Sequence, residues 1–418
     1  MYIRNSNFSF LSLLILYFSY HLPYIIAFNS QVSTFFYLWY GNPEFDNHTY
    51  IHWNHHTLPH WTEHIRKQYP EVRYIPPYDI HAPYYPLRGL YSSHDPLIMK
   101  EQFHEIYQSG IGIIIISWWG RKEISKGDSQ GVITDDIVHQ VLEIALSENL
   151  KVALHLEPYE GRNAETISKD IEYLHHQYNY HPALYRYAEP FSTSSPRPVY
   201  YIYDSYHISS TEWQRLLTIN GDLSVRNTQY DIFAIGLWLN SNDGNDLVYG
   251  GFNGAYTYFS SDGFSYGSTS RNWIDMAEFA RKNSLWFSPS VGPGYDDTRI
   301  RPWNAVARKD REQGKYYQRM WEAALACNPD GVSITSFNEW GEGTQIEPAI
   351  PKDIPVTQEN IDAGLVLNIT IRNALRIHDS YKNYLPHNPD YYLLETLRYS
   401  QQLQEKSRKI KENNEPEL

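Results

Sequence analysis

A chain of 418 residues with one cysteine, Cys327, can form no intrachain disulfide, and a lone thiol also excludes zinc-finger and iron–sulfur architectures. A formal net charge of -13 without a sustained basic block argues against nucleic acid or an anionic membrane surface as partner, and it suits a neutral ligand. The length allows one large barrel or two ordinary domains, with a core that needs neither metal nor disulfide to hold it.

Residues 1–28 read as a targeting segment. A short polar start with Arg4 precedes an apolar stretch, 8–28, of about 20 residues, long enough to cross a bilayer as a helix. Ser12, Ser19, His21 and Pro23 interrupt it. Residues 10–20 have the length of a signal-peptide core, with Ala27 as a small residue before cleavage. Left uncleaved, the segment is a signal anchor with Arg4 on the cytoplasmic side and the rest lumenal. Either reading puts the chain in the secretory pathway, and the sequons Asn47-His48-Thr49 and Asn368-Ile369-Thr370 agree with it.

A first strand is predicted at 33–39, ended by Tyr40-Gly41-Asn42-Pro43. His48, His52, His55, His56 and His60 then lie among Trp53 and Trp61. Their spacing fits no zinc signature, so the segment is read as a polar and aromatic loop at a cleft rim. Further strands are predicted at 89–93, 113–117, 152–156, 199–203, 232–237, 285–290 and 332–337. Several are continuous apolar runs, as parallel strands buried on both faces require. Residues 254–259 form a ninth candidate, one more than a closed barrel needs.

Helices are predicted at 95–109, 135–149, 168–178, 211–217, 273–283 and 315–327, with Asp95-Pro96 and Asp135 as start signals. This alternation predicts a single (β/α)₈ TIM barrel over 29–390, with extended βα loops forming a cleft. Residues 357–384 read as the closing helix or helix pair, with Leu365, Ile369, Ala374 and Ile377 on one stripe. Residues 391–418 are expected to be a polar, frayed tail.

In a barrel the chemistry gathers where strands end. Those positions hold Tyr40 and Asn42; Ser117, Trp118 and Trp119; His155, Glu157, Tyr159 and Arg162; Tyr201, Tyr203, Asp204, Tyr206 and His207; Tyr256 and Tyr258; Tyr295, Asp296, Asp297, Arg299 and Arg301; and Asn338, Glu339 and Glu342. Taken singly, each has a structural explanation: Asp297 and Arg301 as a rim ion pair, His155 as a core histidine, Glu157 as a cap. Their joint placement is what points to a site. Aromatics are 16% of the chain, with 37 Tyr and 12 Trp. Such rings serve core packing, and they equally serve a cleft that takes up the apolar faces of sugars.

The segments YLWYGNP, GLYSSHDP, HLEPYEGR, YIYDSYH, GFSYGSTSRNW, SVGPGYDDTRIRPWN and SITSFNEWGEGTQIEPAIPK resemble glycoside hydrolase family 99, the endo-α-1,2-mannosidases, from about Phe35 to Lys352. One position departs. The family pattern has His between the Trp and the second Glu, where this chain has Gly341. The resemblance implies a TIM barrel, endo cleavage of an α-1,2-mannosidic bond with retention, and no metal or other cofactor. It implies a high-mannose glycan or glycoprotein as substrate. In the animal enzymes a glucosylated mannose is released in the Golgi, which makes a single-pass type II Golgi membrane protein the expectation, or else a lumenal or secreted enzyme after signal cleavage. A monomer is expected. By motif position Glu339 is the base and Glu342 the acid, with Tyr40, Glu157, Tyr201, His207 and Tyr258 lining the pocket. Asn338 and Trp119 are added from their places after strands.

The spacing of the two acids bears on mechanism. A conventional retaining pair flanks the sugar about 5–5.5 Å apart and usually comes from different strands. Glu339 and Glu342 are three residues apart in one loop, which is awkward for attack on opposite faces. It suits a route in which the substrate's own 2-hydroxyl attacks C1. Hydrolysis of another α-glycan and silent glycan binding stay open at this stage.

Overall fold

Eight parallel strands close into a ring in the computed structural model, which describes residues 28–189 and 195–414. They are β1 (Val32–Phe36), β2 (Ile113–Trp118), β3 (Lys151–Leu156), β4 (Arg197–Ile202), β5 (Phe233–Leu237), β6 (Gly254–Tyr256), β7 and β8 (Val332–Ile334). Strand β7 comes in two pieces, because Pro289 brings no N–H to the ladder. Trp286–Ser288 pairs with β6 and Ser290–Val291 pairs with β8, so the ring stays closed across the break. The run Ile113–Ile116 is buried throughout, flanked by β1 on one side and β3 on the other. That is the expected outcome for a strand without hydrophobic–polar alternation.

Seven helices follow the strands: α1 (Pro96–Gln108), α2 (Val138–Ser147), α3 (Ala164–Tyr178), α4 (Ser210–Leu217), α5 (Asp243–Gly250), α6 (Trp273–Lys282) and α7 (Lys315–Ala326). Asp95 starts α1 as read from the sequence, its Oδ1 accepting from the Leu97 N–H at 2.9 Å. α5 was not foreseen. Its Gly244 and Gly250 argue against a helix, yet a Cβ on Gly244 would lie 2.4 Å from the Trp238 ring, so close packing requires that glycine.

Three expectations are corrected. Residues 89–93 are not a strand; they are a loop whose Tyr91 carbonyl accepts from Trp53 Nε1 at 2.8 Å. The surplus candidate at 254–259 supplies the sixth barrel strand instead. Residues 357–384 do hold a helix pair, Gln358–Asp362 and Ile369–Leu375, but it does not close the barrel. Closure comes from α8 (Tyr391–Asn414), lying where a frayed tail was expected. Tyr392, Thr396, Tyr399, Ser400 and Leu403 are buried along one stripe of it. Tyr399 stacks on Trp321 of α7 with centroids 5.6 Å apart, and Ser400 Oγ donates to the Gly110 carbonyl after α1 at 2.6 Å. The charged residues that suggested fraying occupy the solvent face.

Tyr399→Ala should therefore lower the unfolding free energy by about 3 kcal/mol. In urea denaturation the midpoint falls at unchanged slope. An unmoved midpoint would mean that α8 carries no core packing.

Candidate active site

Strand β8 runs into the loop 335–350, and four sets of bonds fix that loop. The Asn338 amide pairs with the backbone of Tyr37 like an added strand residue, Nδ2 donating to the carbonyl at 3.0 Å and Oδ1 accepting from the N–H at 2.8 Å. The Tyr40 hydroxyl donates to the Asn338 carbonyl at 3.0 Å and accepts from the Trp340 N–H at 3.1 Å. Glu347 is fully buried. It accepts from Tyr91 Oη at 2.8 Å, Gln102 Nε2 at 2.8 Å, Trp340 Nε1 at 3.0 Å and Arg88 Nη1 at 3.2 Å. A buried carboxylate with four donors is satisfied and holds the loop down. Arg311 finishes the clamp, donating to the Gly343 and Gln345 carbonyls at 2.9 and 2.7 Å from among the rings of Tyr84, Tyr384 and Tyr392.

Glu339 and Glu342 are the loop carboxylates that remain, and both line a cleft of about 290 Å³ at the C-terminal mouth of the barrel. Tyr37, Trp39, His52, His55, His81, Trp119, His155, Glu157, Tyr203, Tyr258, Ile300 and Arg301 line it with them. Four of these side chains have a buried polar atom without a hydrogen-bond partner among the described residues: Trp39 Nε1, His81 Nδ1, Trp119 Nε1 and Glu339 Oε2. Unsatisfied groups of this kind are rare in a core, and here they converge on one space, as a site awaiting a polar ligand requires.

The two acids differ in their surroundings. Glu339 Oε1 accepts from the Gly341 N–H at 3.0 Å. Burial pushes its carboxyl well above the usual range, and the nearby Glu342 charge pushes it further, against a smaller opposing effect of Arg301. Glu342 is raised by burial and by Asp297, but Arg301 Nη1 lies 3.2 Å from its Oε1 and favours the ionised form. Arg301 also pairs with Asp297 at 3.1 Å, and Asn304 Nδ2 steadies Asp297 at 2.9 Å. Two buried carboxyls so coupled resist ionising together. Burial thus raises both carboxyls, while Arg301 lies against Glu342 and favours its ionised form.

Two of the histidines in the remaining walls are shifted by burial. Burial lowers His55 to about 4, and its Nδ1 lies 2.7 Å from the His56 carbonyl. Burial lowers His81 well below the usual value. A Cβ on Gly341 would meet Ile300 Cδ1 at 2.5 Å and His81 Cδ2 at 3.0 Å, so these two residues occupy the space into which a side chain at 341 would project. Glu157 Oε1 accepts from Ser117 Oγ at 2.8 Å and lies 3.0 Å from His155 Nδ1. The Tyr37 and Tyr258 hydroxyls bond to each other, with Tyr258 in the left-handed region at φ 54°.

Of the residues read from sequence, Glu339, Glu342, Glu157, Tyr258 and Trp119 meet in the cleft. Tyr40 and Asn338 are buried behind it and act through the loop. Tyr201 is not in the cleft. It packs inside the barrel, edge-on to Tyr256 at 5.1 Å, and faces a small cavity with Ser33 and Trp286. The next inward position on β4, two residues on and about 6.6 Å higher, is Tyr203, which reaches the mouth. His207 is exposed and does not line the cleft. Tyr37, Trp39, His81 and Ile300 were missed as cleft residues, whereas His52 and His55 lie in the loop read as a cleft rim. Tyr37 and Trp39 carried a signal as alternate residues at a strand end, whereas His81 lies in an irregular loop that sequence pattern does not mark. Arg301 was read as a rim ion pair. It is that, and it also touches Glu342.

Comparison with known proteins sets this geometry among its relatives. The family model described as "Glycosyl hydrolase family 99" matches residues 27–405. The chain belongs to glycosyl hydrolase family 99. It is a glycoside hydrolase. A glycoprotein endo-alpha-1,2-mannosidase of Mus musculus is 42% identical over 373 residues, covering 89% of this chain and 75% of the relative. The Xenopus laevis protein of that description is 41% identical over 375 residues, covering 89% and 77%. Among solved structures, the GH99 endo-alpha-mannosidase from Bacteroides thetaiotaomicron superposes with a TM-score of 0.76 at 36% identity, covering 90% of this chain and 98% of that one. The family 99 relationship extends into α8.

The raised Glu339 gives a stability prediction with a definite sign. A carboxyl whose folded value lies above its unfolded value of about 4.3 leaves stability intact below that pH and costs stability as pH rises through the folded value. Glu339→Gln should thus raise the melting temperature at pH 8 relative to wild type, with the gain vanishing towards pH 4. Thermal unfolding across that range measures it; a gain independent of pH would remove the assigned cause.

Proposed function

We propose that this family 99 enzyme is a retaining endo-α-1,2-mannosidase acting on glucosylated high-mannose N-glycans, with the substrate's 2-hydroxyl as the nucleophile. The observation that carries the reading is that Glu339 and Glu342 share one clamped loop and one cleft while differing in charge partners. The names of the animal relatives, at 41–42% identity, support the substrate class.

In an α-mannoside the axial 2-hydroxyl is trans to the axial leaving oxygen, so it can attack C1 from behind. Glu339 takes the 2-hydroxyl proton, O2 bonds to C1, the C1–oxygen bond breaks, and Glu342 gives its proton to the leaving oxygen. The product of this step is a 1,2-anhydro sugar. Glu342 then takes a proton from water, the water oxygen bonds to C1 as the C1–O2 bond breaks, and O2 recovers its proton from Glu339. Two inversions give net retention.

Burial raises Glu339 and Arg301 favours the ionised form of Glu342, so substrate must work against both tendencies. A 2-hydroxyl donating to the partnerless Glu339 Oε2 favours the ionised form there. A glycosidic oxygen beside Glu342 accepts a hydrogen bond and favours its protonated form. Binding and proton transfer between the acids are thus coupled.

We further propose a lumenal site of action, anchored in the Golgi membrane by the N-terminal apolar segment. Residues 1–27 lie outside the described residues, and no helix among the described residues is long and apolar enough to cross a membrane. Protease protection in sealed microsomes tests this topology; digestion of the catalytic domain from the cytosolic side would contradict it.

The activity test uses a defined glucosylated high-mannose glycan. Wild type should release a glucosylated mannose, with the α-anomer appearing first by NMR. Glu342→Gln should lower kcat by at least about 100-fold. Release of free mannose would indicate exo action, and binding without any release would remove the enzymatic reading.

A further inference from the structure

Outside the cleft, an aromatic cluster stands at its lip. Trp61 is 81% exposed, far beyond what a large indole normally tolerates on a monomer's surface. It is nevertheless fixed. The His60 ring stacks on it at 3.9 Å, and Trp303 stands edge-on to it at 5.1 Å and to His60 at 4.7 Å. His60 is itself buried, with Nδ1 accepting from the Thr62 N–H at 2.8 Å. Trp303 Nε1 donates to the Leu58 carbonyl at 3.0 Å, and the Leu58 N–H donates to the Ile300 carbonyl at 2.7 Å. Leu58, Ile300 and Arg301 line the cleft, so the cluster is bonded directly to its wall.

We propose that Trp61 is a stacking platform for a sugar ring of the same glycan, on the reducing side of the cleaved bond. The face of the indole turned from His60 offers a flat, preordered apolar surface, which suits the C–H face of a neutral pyranose. The side follows from Arg301. This residue is two positions before Trp303 and touches Glu342, the acid assigned to the leaving oxygen. The orientation rests on that assignment. An endo enzyme has sugar rings beyond the leaving oxygen that need a surface, and we assign this platform to them.

Equilibrium binding to the Glu342→Gln protein tests the platform without turnover. Two free oligosaccharides serve as probes: a full glucosylated high-mannose glycan, and a short one ending at the mannose that bears the leaving oxygen. Adding Trp61→Ala should weaken the full glycan about tenfold and the short one less than twofold, with Trp61→Phe recovering most of the loss. Equal Kd values for the full glycan with and without Trp61 would overturn the proposal. Equal losses on both probes would also overturn it, by showing that the cluster merely braces the cleft. Failure of wild type to cleave either probe would instead strike the activity, so the two failures are distinguishable.

Discussion

The buried carboxylate of Glu347 is the constraint on which the rest of the site depends. An ionisable group in a dry core is tolerable only with its lone pairs filled, and Arg88, Tyr91, Gln102 and Trp340 fill them. Those partners come from separate parts of the chain, so satisfying one carboxylate draws α1, the loop before it and the catalytic loop together. The Asn338 amide and the Arg311 guanidinium pin the same loop from other sides. Groups that must act on one sugar carbon need positions held to a fraction of an ångström. A loop tied by side chains from four regions of the barrel meets that need.

Charge then divides the labour. Burial alone would raise both acids alike. Arg301, itself held by Asp297, breaks the symmetry by lying against Glu342. Neutral histidines around them add hydrogen-bonding capacity without a further positive charge that would ionise both carboxyls at once. The result is two buried carboxyls in different electrostatic surroundings, as the proposed acid and base roles require.

The barrel was legible in the sequence where burial is two-sided: Ile113–Ile116 reads as a strand because nothing polar interrupts it. It was misread where length or context decides. Residues 254–259 were read as a strand candidate but counted as the surplus one, because Gly-Leu-Tyr-Ser-Ser at 89–93 imitates a strand while serving as a tether for Glu347. α8 was hidden by its charged face, since average polarity masks a buried stripe one side chain wide. At the site, Glu339 and Glu342 were visible from the strand and loop pattern. Tyr203 was passed over for Tyr201 because sequence shows which face a strand residue takes but not its height in the barrel. The surroundings of Gly341 were beyond reach altogether. His81 and Ile300 come from distant segments and meet there only in three dimensions.

The central claim is that one loop can supply both acids because the substrate supplies the nucleophile. It is tested most directly by an α-mannoside substrate whose scissile residue has hydrogen in place of the 2-hydroxyl. With no hydroxyl to attack C1, Glu339 has no proton to take, and the substrate is expected to bind and inhibit without enzymatic turnover. Cleavage of that compound with retention, at a rate near that of the parent, would require a protein nucleophile and would contradict the mechanism.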